Sequence, residues 1–170
     1  VILRHPTAEL PQQRPPALSV GNVQGVGGRE QQEDSFALLN ASNAQEMDRH
    51  GLFAVVCDGM GGMEDGKAAS EVAVDAFLQL FQALLDEGDI PRQLREGTLA
   101  VSDGVFQRFQ GRSGTTVVAV RILGDMLHWF SVGDSAIFLK RGDCVFQLNQ
   151  EHTCLNDLYR RELKEEVILR

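Results

Sequence analysis

The stretch Leu52-Phe-Ala-Val-Val-Cys-Asp-Gly-Met-Gly-Gly62 constrains the fold of this chain more than any other. Six apolar residues run unbroken from Leu52 to Cys57 and stop at Asp58-Gly59. A short, valine-rich apolar run closed by glycines predicts a strand buried on both faces. Asp58 then stands at the mouth of a rigid strand, where Gly59, Gly61 and Gly62 let the backbone approach a ligand closely. The competing role for Asp58 is a helix N-cap at a strand-to-helix turn. These residues alone leave both roles open.

The segments around this strand predict helices beside an antiparallel sheet. Ala69, Val72, Ala73, Ala76, Phe77, Leu80, Phe81 and Leu84 recur at helical spacing, so a helix with one core-facing stripe is expected over about 67–85. Gly88 and Pro91 punctuate its end, and a second, less regular helix is expected over about 91–109. From Thr115 the chain turns β-branched, with Gly124-Asp125, Gly133-Asp134 and Gly142-Asp143 as turn signals. That pattern predicts a meander of four strands ending near Leu148. Ser19–Gly28 is expected to be a strand entering a glycine-rich turn, and 40–50 a polar loop. The twenty residues from Glu151 are expected to be a charged helix. Four of the five prolines fall in residues 1–18, which predicts an extended arm or linker ahead of one domain, 19–170.

Composition narrows the function classes. A net charge of −8 disfavours a nucleic-acid or anionic-membrane surface and suits a divalent-cation site. Three widely spaced cysteines with no C-x-x-C pair fit reduced thiols, and the scattered histidines lack zinc spacing. No apolar run approaches a membrane span, so the expected location is the cytoplasm. Gly25-Val-Gly27 is a fragment of a dinucleotide fingerprint, but Glu30 holds the third glycine position.

Four motifs fall in a fixed order: Arg29-x4-Asp34 with Glu33 before the aspartate, Val56-x-Asp58-Gly-Met-Gly-Gly62, Ser113-Gly-Thr-Thr116 and Val132-Gly-Asp-Ser135. Over about residues 19–160 this series resembles the metal-dependent protein phosphatases of the PPM family, type 2C, in the bacterial style. The resemblance implies an α+β fold, two packed antiparallel sheets flanked by helices in an αββα sandwich. It implies a serine/threonine phosphatase that uses two Mn²⁺ or Mg²⁺ ions, with a third, weaker ion site. Asp58 then bridges the two ions, Asp34 and the Gly59 carbonyl bind one each, and Asp134 serves the third. Glu33 orients a water, and Arg29 holds the substrate phosphate. The chemistry is coherent, because hard divalent ions take oxygen ligands and keep waters, and an arginine fork matches phosphate. Ser113, Ser135 and Cys57 need no nucleophilic role in it.

The match breaks downstream. The family completes its site with two further aspartates, in a Ser-Asp-Gly and an Asp-Asn motif beyond the meander, and the chain stops before either. Ser102-Asp-Gly104 precedes Ser113 and lies in the expected second helix, so it is rejected as a ligand. Ala136 stands where the family commonly carries arginine. The sandwich is therefore expected to be incomplete at its C-terminus, with exposed sheet edges open to association. The chain is expected to be weakly active or inactive on a phosphoprotein from a kinase pathway. The alternative is a non-catalytic regulatory or phosphoprotein-binding module.

Overall fold

The computed structural model describes residues 18–40, 44–60, 65–83, 89–154 and 156–157. The proline-rich arm, Gly61 and Gly62, and most of the expected C-terminal helix lie outside them. The elements run β1 (Asp34–Leu39), α1 (Ala44–His50), β2 (Leu52–Asp58), α2 (Gly66–Ala83), α3 (Ile90–Phe109), β3 (Val117–Leu123), β4 (Met126–Val132), β5 (Phe138–Arg141) and β6 (Cys144–Gln147). The chain is α+β with antiparallel sheets, as expected. β1 to β4 form one sheet in chain order, and β5 with β6 forms a separate hairpin.

α2 and α3 cover one face of the four-stranded sheet. Phe53, Val55 and Cys57 of β2 point into them with Val117 and Ala119 of β3, against Ala73, Val74 and Phe77 of α2. Phe53 also stacks on Phe81. Fully burying side chains such as Phe53 and Val55 stabilises the fold by roughly 1.5–3 kcal/mol each. α3 starts where the sequence punctuates it: the Asp89 carboxylate accepts from Arg92 N at 3.2 Å, with Pro91 in the first turn. It ends at Gln110, in the left-handed conformation at φ 55°.

Four expectations change. β2 is buried fully on its helix-facing side only, because alternate residues of a strand face opposite ways. No described element buries the middle of the other face, where Val56 is 44% exposed. The meander is broken after β4. The Asn149 side chain accepts from Ile137 N at 2.7 Å and donates to Ser135 O at 2.8 Å, taking up backbone groups that a β4–β5 ladder would use. Residues 19–28 pair with no strand. They run exposed, and the Gln24 side chain makes a 3.4 Å bond to Asp34 O. Finally, 44–50 is a helix rather than a loop. It has Glu46 in its first turn, Arg49 and His50 in its last, and a Glu46–His50 pair at 3.5 Å, each favourable to the helix dipole. The expected two-sheet sandwich thus appears, among the described residues, as one sheet with helices on one face and one separate hairpin.

Candidate functional site

Antiparallel register brings two of the acids together. Asp34 opens β1 and Asp58 closes β2, and the two are direct partners in the ladder. Directly opposed residues project to the same face, so both carboxyls emerge side by side at one end of the sheet, away from the helices. Asp58 carries the consequence. Partial burial, a hydrogen bond with the Asp34 carboxyl and the Asp34 charge push its pKa up, and the Arg29 guanidinium pulls it back down. The Asp134 charge adds a smaller upward push. Arg29, Asp34, Asp58 and Asp134 therefore share one electrostatic neighbourhood, with two acids in hydrogen-bond contact at its centre.

Backbone bonds hold the end of β2 rigid. Asp58 O accepts from Thr116 N at 2.9 Å and from the Thr115 hydroxyl at 2.8 Å. Asp58 N donates to Thr116 Oγ1 at 3.3 Å, and that hydroxyl pairs with Ser135 Oγ at 2.7 Å. The Ser113-Gly-Thr-Thr and Gly-Asp-Ser motifs thus meet on the Asp58 backbone, and neither serine is placed as a nucleophile. Ser135 is tied to Thr116, and Ser113 is buried. Asp134 is exposed in the turn after β4. The Cys57 thiol is fully buried and pushed up to about 12 by desolvation, which leaves no thiolate for catalysis. Ser102-Asp-Gly104 sits inside α3, in keeping with its rejection.

Gly59 is packed between the start of β1 and the N-terminus of α2. Gly59 N donates to Glu33 O at 3.2 Å and Met60 N to Gly114 O at 3.1 Å. A Cβ on Gly59 would overlap the Gly66 carbonyl, and one on Gly66 would stand 2.8 Å from Glu33 Oε1. These glycines are needed for close approach rather than for an unusual φ, since neither has a positive φ. Glu33 lies half-buried against the α2 N-terminus. Arg29 is exposed in the preceding turn, with its own N–H donating to Val26 O at 3.2 Å.

Sequence reasoning missed a polar network beneath Glu33 and Asp34. Lys67 Nζ donates to Asp34 O and to Ser35 Oγ, both at 2.9 Å. Ser35 Oγ meets Ser70 Oγ at 2.9 Å, and Ser70 Oγ donates to Glu33 O at 2.6 Å. Ser70 occupies the buried stripe of α2 otherwise filled by glycine, alanine, valine and phenylalanine. A buried serine at a core position was the available signal.

The donor set fits one hard cation in part. Two adjacent carboxyls, with the Asp58 pKa raised, are what a divalent ion neutralises. Among the described residues, however, no three acid, histidine or cysteine groups are gathered closely enough to hold a metal. Asp134 contributes to the field of the pair without joining it as a third ligand.

Residues 29–162 match the protein phosphatase 2C family. The serine/threonine phosphatase stp of Listeria innocua is 30% identical over 114 residues, which is 62% of this chain and 45% of the relative. The protein phosphatase PhpP of Streptococcus pneumoniae is 30% identical over 111 residues, 61% of this chain and 45% of the relative. The solved catalytic domain of the serine/threonine phosphatase PstP, in complex with two manganese ions, superposes with a TM-score of 0.60. It is 24% identical, over 79% of this chain and 55% of that one. The chain spans about half the length of the relatives it matches. With the ordered motifs, the paired aspartates and a family match over most of its length, the chain belongs to the protein phosphatase 2C family.

Proposed function

We propose that this chain carries the metal- and phosphate-binding half of a protein serine/threonine phosphatase. The observation that carries the proposal is the Asp34–Asp58 register pair, whose mutual repulsion a divalent ion relieves. Asp34, Asp58 and the Gly59 carbonyl would hold Mn²⁺ or Mg²⁺, and Asp134 would serve a weaker outer site. The PstP structure with two manganese ions supports a divalent ion in this role. Bound there, the ion supplies Lewis acidity and a nucleophilic water for attack on phosphorus.

The chain's own residues do the rest. Arg29, exposed and free to fork onto two phosphoryl oxygens, holds the phosphate of a phosphoprotein. Glu33, beside the α2 N-terminus, accepts a hydrogen bond from water and orients it. Thr115 and Thr116 keep Asp58 from drifting while charge builds on the phosphate. Because only two carboxylates among the described residues meet at the site, the chain by itself binds metal weakly and turns over slowly or not at all. Three free cysteines, one of them buried, favour a reducing compartment such as the cytoplasm. No helix among the described residues is long and apolar enough to cross a membrane.

A second reading, a phosphoprotein-binding module without catalysis, is favoured by the lack of a three-ligand cluster among the described residues. Hydrolysis of p-nitrophenyl phosphate with Mn²⁺ separates the two, beside Asp58→Asn and an EDTA control. Slow turnover lost in both controls supports the phosphatase. No turnover together with Arg29-dependent binding of a phosphopeptide supports the module.

A further inference from the structure

The network under β1 has a direction that follows from proton counting. Lysine ammonium only donates, so Ser35 Oγ accepts from Lys67. The single Ser70 proton goes to a backbone carbonyl, and Glu33 O at 2.6 Å is the nearer acceptor, with Lys67 O at 2.9 Å. The Ser35 hydroxyl must then donate to Ser70 Oγ. One chain of donors thus runs from the ammonium through Ser35 and Ser70 to the Glu33 carbonyl, with a side branch from Lys67 to Asp34 O. Ser70 is 0% exposed and Ser35 7%, so water does not substitute for either hydroxyl. The chain fixes three consecutive residues, Glu33 to Ser35, onto the first turn of α2. The same Glu33 carbonyl also receives Gly59 N. The backbones that carry both acids therefore meet on one carbonyl oxygen.

We infer that Ser70 and Lys67 are positioning residues that set the spacing of Asp34 against Asp58 and so the affinity of the pair for a divalent ion. The inference rests on the reading that this pair binds such an ion. Neither residue touches the ion or the phosphate; each acts through the β1 backbone. Charge alone makes the opposite prediction for Lys67. Removing a cation near an acidic pair strengthens attraction for Mn²⁺, whereas loss of the tether weakens binding by loosening Asp34.

The test is a Mn²⁺ titration of the ¹⁵N-labelled full chain, following paramagnetic broadening of the Ser35 and Gly59 amide signals. Wild type, Lys67→Met and Ser70→Ala are compared, with Asp58→Asn as the control for the metal site. Lys67 is 42% exposed in its side chain, so Lys67→Met keeps the test available if Ser70→Ala does not fold. The expected result is that the Mn²⁺ concentration for half-broadening rises at least fivefold in both variants. Restored affinity in Ser70→Cys, which keeps size and a weak donor, would strengthen it. Midpoints within twofold of wild type, or a tighter midpoint in Lys67→Met, overturn the positioning role and leave the metal site standing. A wild-type chain with no broadening at these amides removes the metal reading and the positioning role with it. Melting of the metal-free variants is measured alongside, because a merely structural role lowers the melting temperature without moving the midpoint of the folded fraction.

Discussion

Gly59→Ala isolates the close approach on which the site depends. The backbone of Gly59 is one that alanine adopts without strain, so the substitution tests space alone. The new Cβ would stand 2.5 Å from the Gly66 carbonyl carbon and 3.0 Å from Glu33 O. Ordinary contact begins near 3.4 Å, so the strand end and the α2 N-terminus must part by about 1 Å. Both obstacles are backbone, and the network through Ser70 resists their movement. Overpacking of this kind costs about 1–3 kcal/mol, and the rigid partners put the expectation at about 2–3 kcal/mol. For a chain of this length each kcal/mol moves Tm by about 2–4 °C, so scanning calorimetry should show a drop of about 4–12 °C. Gly104→Ala is the internal comparison. It lies inside α3 with nothing within 4 Å of its Cβ position, so alanine there should stabilise by about 0.5–1 kcal/mol. A Gly59→Ala chain that melts within 1 °C of wild type would falsify the packing argument.

Other consequences are open to measurement. Asp58 has its pKa raised in the fold, so its contribution to stability is full below the unfolded value and is lost as pH rises through the folded one. At pH 7 without metal, Asp58→Asn should therefore raise Tm while removing Mn²⁺ binding; a lower Tm would contradict the upward shift of Asp58. His128 shifts the other way, lowered by burial and then by the Arg121 charge. Its contribution is present above the ordinary histidine range and is lost as pH falls, so His128→Gln should flatten the decline in Tm between pH 7 and 5. Thr116→Val removes the hydroxyl shared by Asp58 N and Ser135 Oγ. Urea unfolding should show a loss of about 1–2 kcal/mol, and an unchanged midpoint would mean that the bonds carry no net stability.

The parts of the fold that sequence made legible are local. β2, α2 and α3 announce themselves by unbroken apolar run, helical stripe and flanking Gly or Pro, and their observed bounds fall within a few residues of expectation. α1 escaped because its seven residues, apolar only at Ala44 and Met47, carry no apolar stripe, and its support is charge at its two ends. The break after β4 escaped because it depends on Asn149, twelve residues beyond the amide that it captures. The Asp34–Asp58 pairing is a matter of register between strands, which no spacing along the chain encodes. Motif order pointed to both acids, but only the ladder shows them side by side. Ser70 and Lys67 lay outside every motif, and their role emerges once α2 packs under the start of β1.

The most direct test of the central claim is anomalous diffraction at the manganese edge from crystals of this chain grown with Mn²⁺. A peak is expected between the Asp34 and Asp58 carboxylates, lost in Asp58→Asn crystals. An ordered pair of carboxylates with no peak between them, at Mn²⁺ concentrations that label other acidic sites, would contradict it.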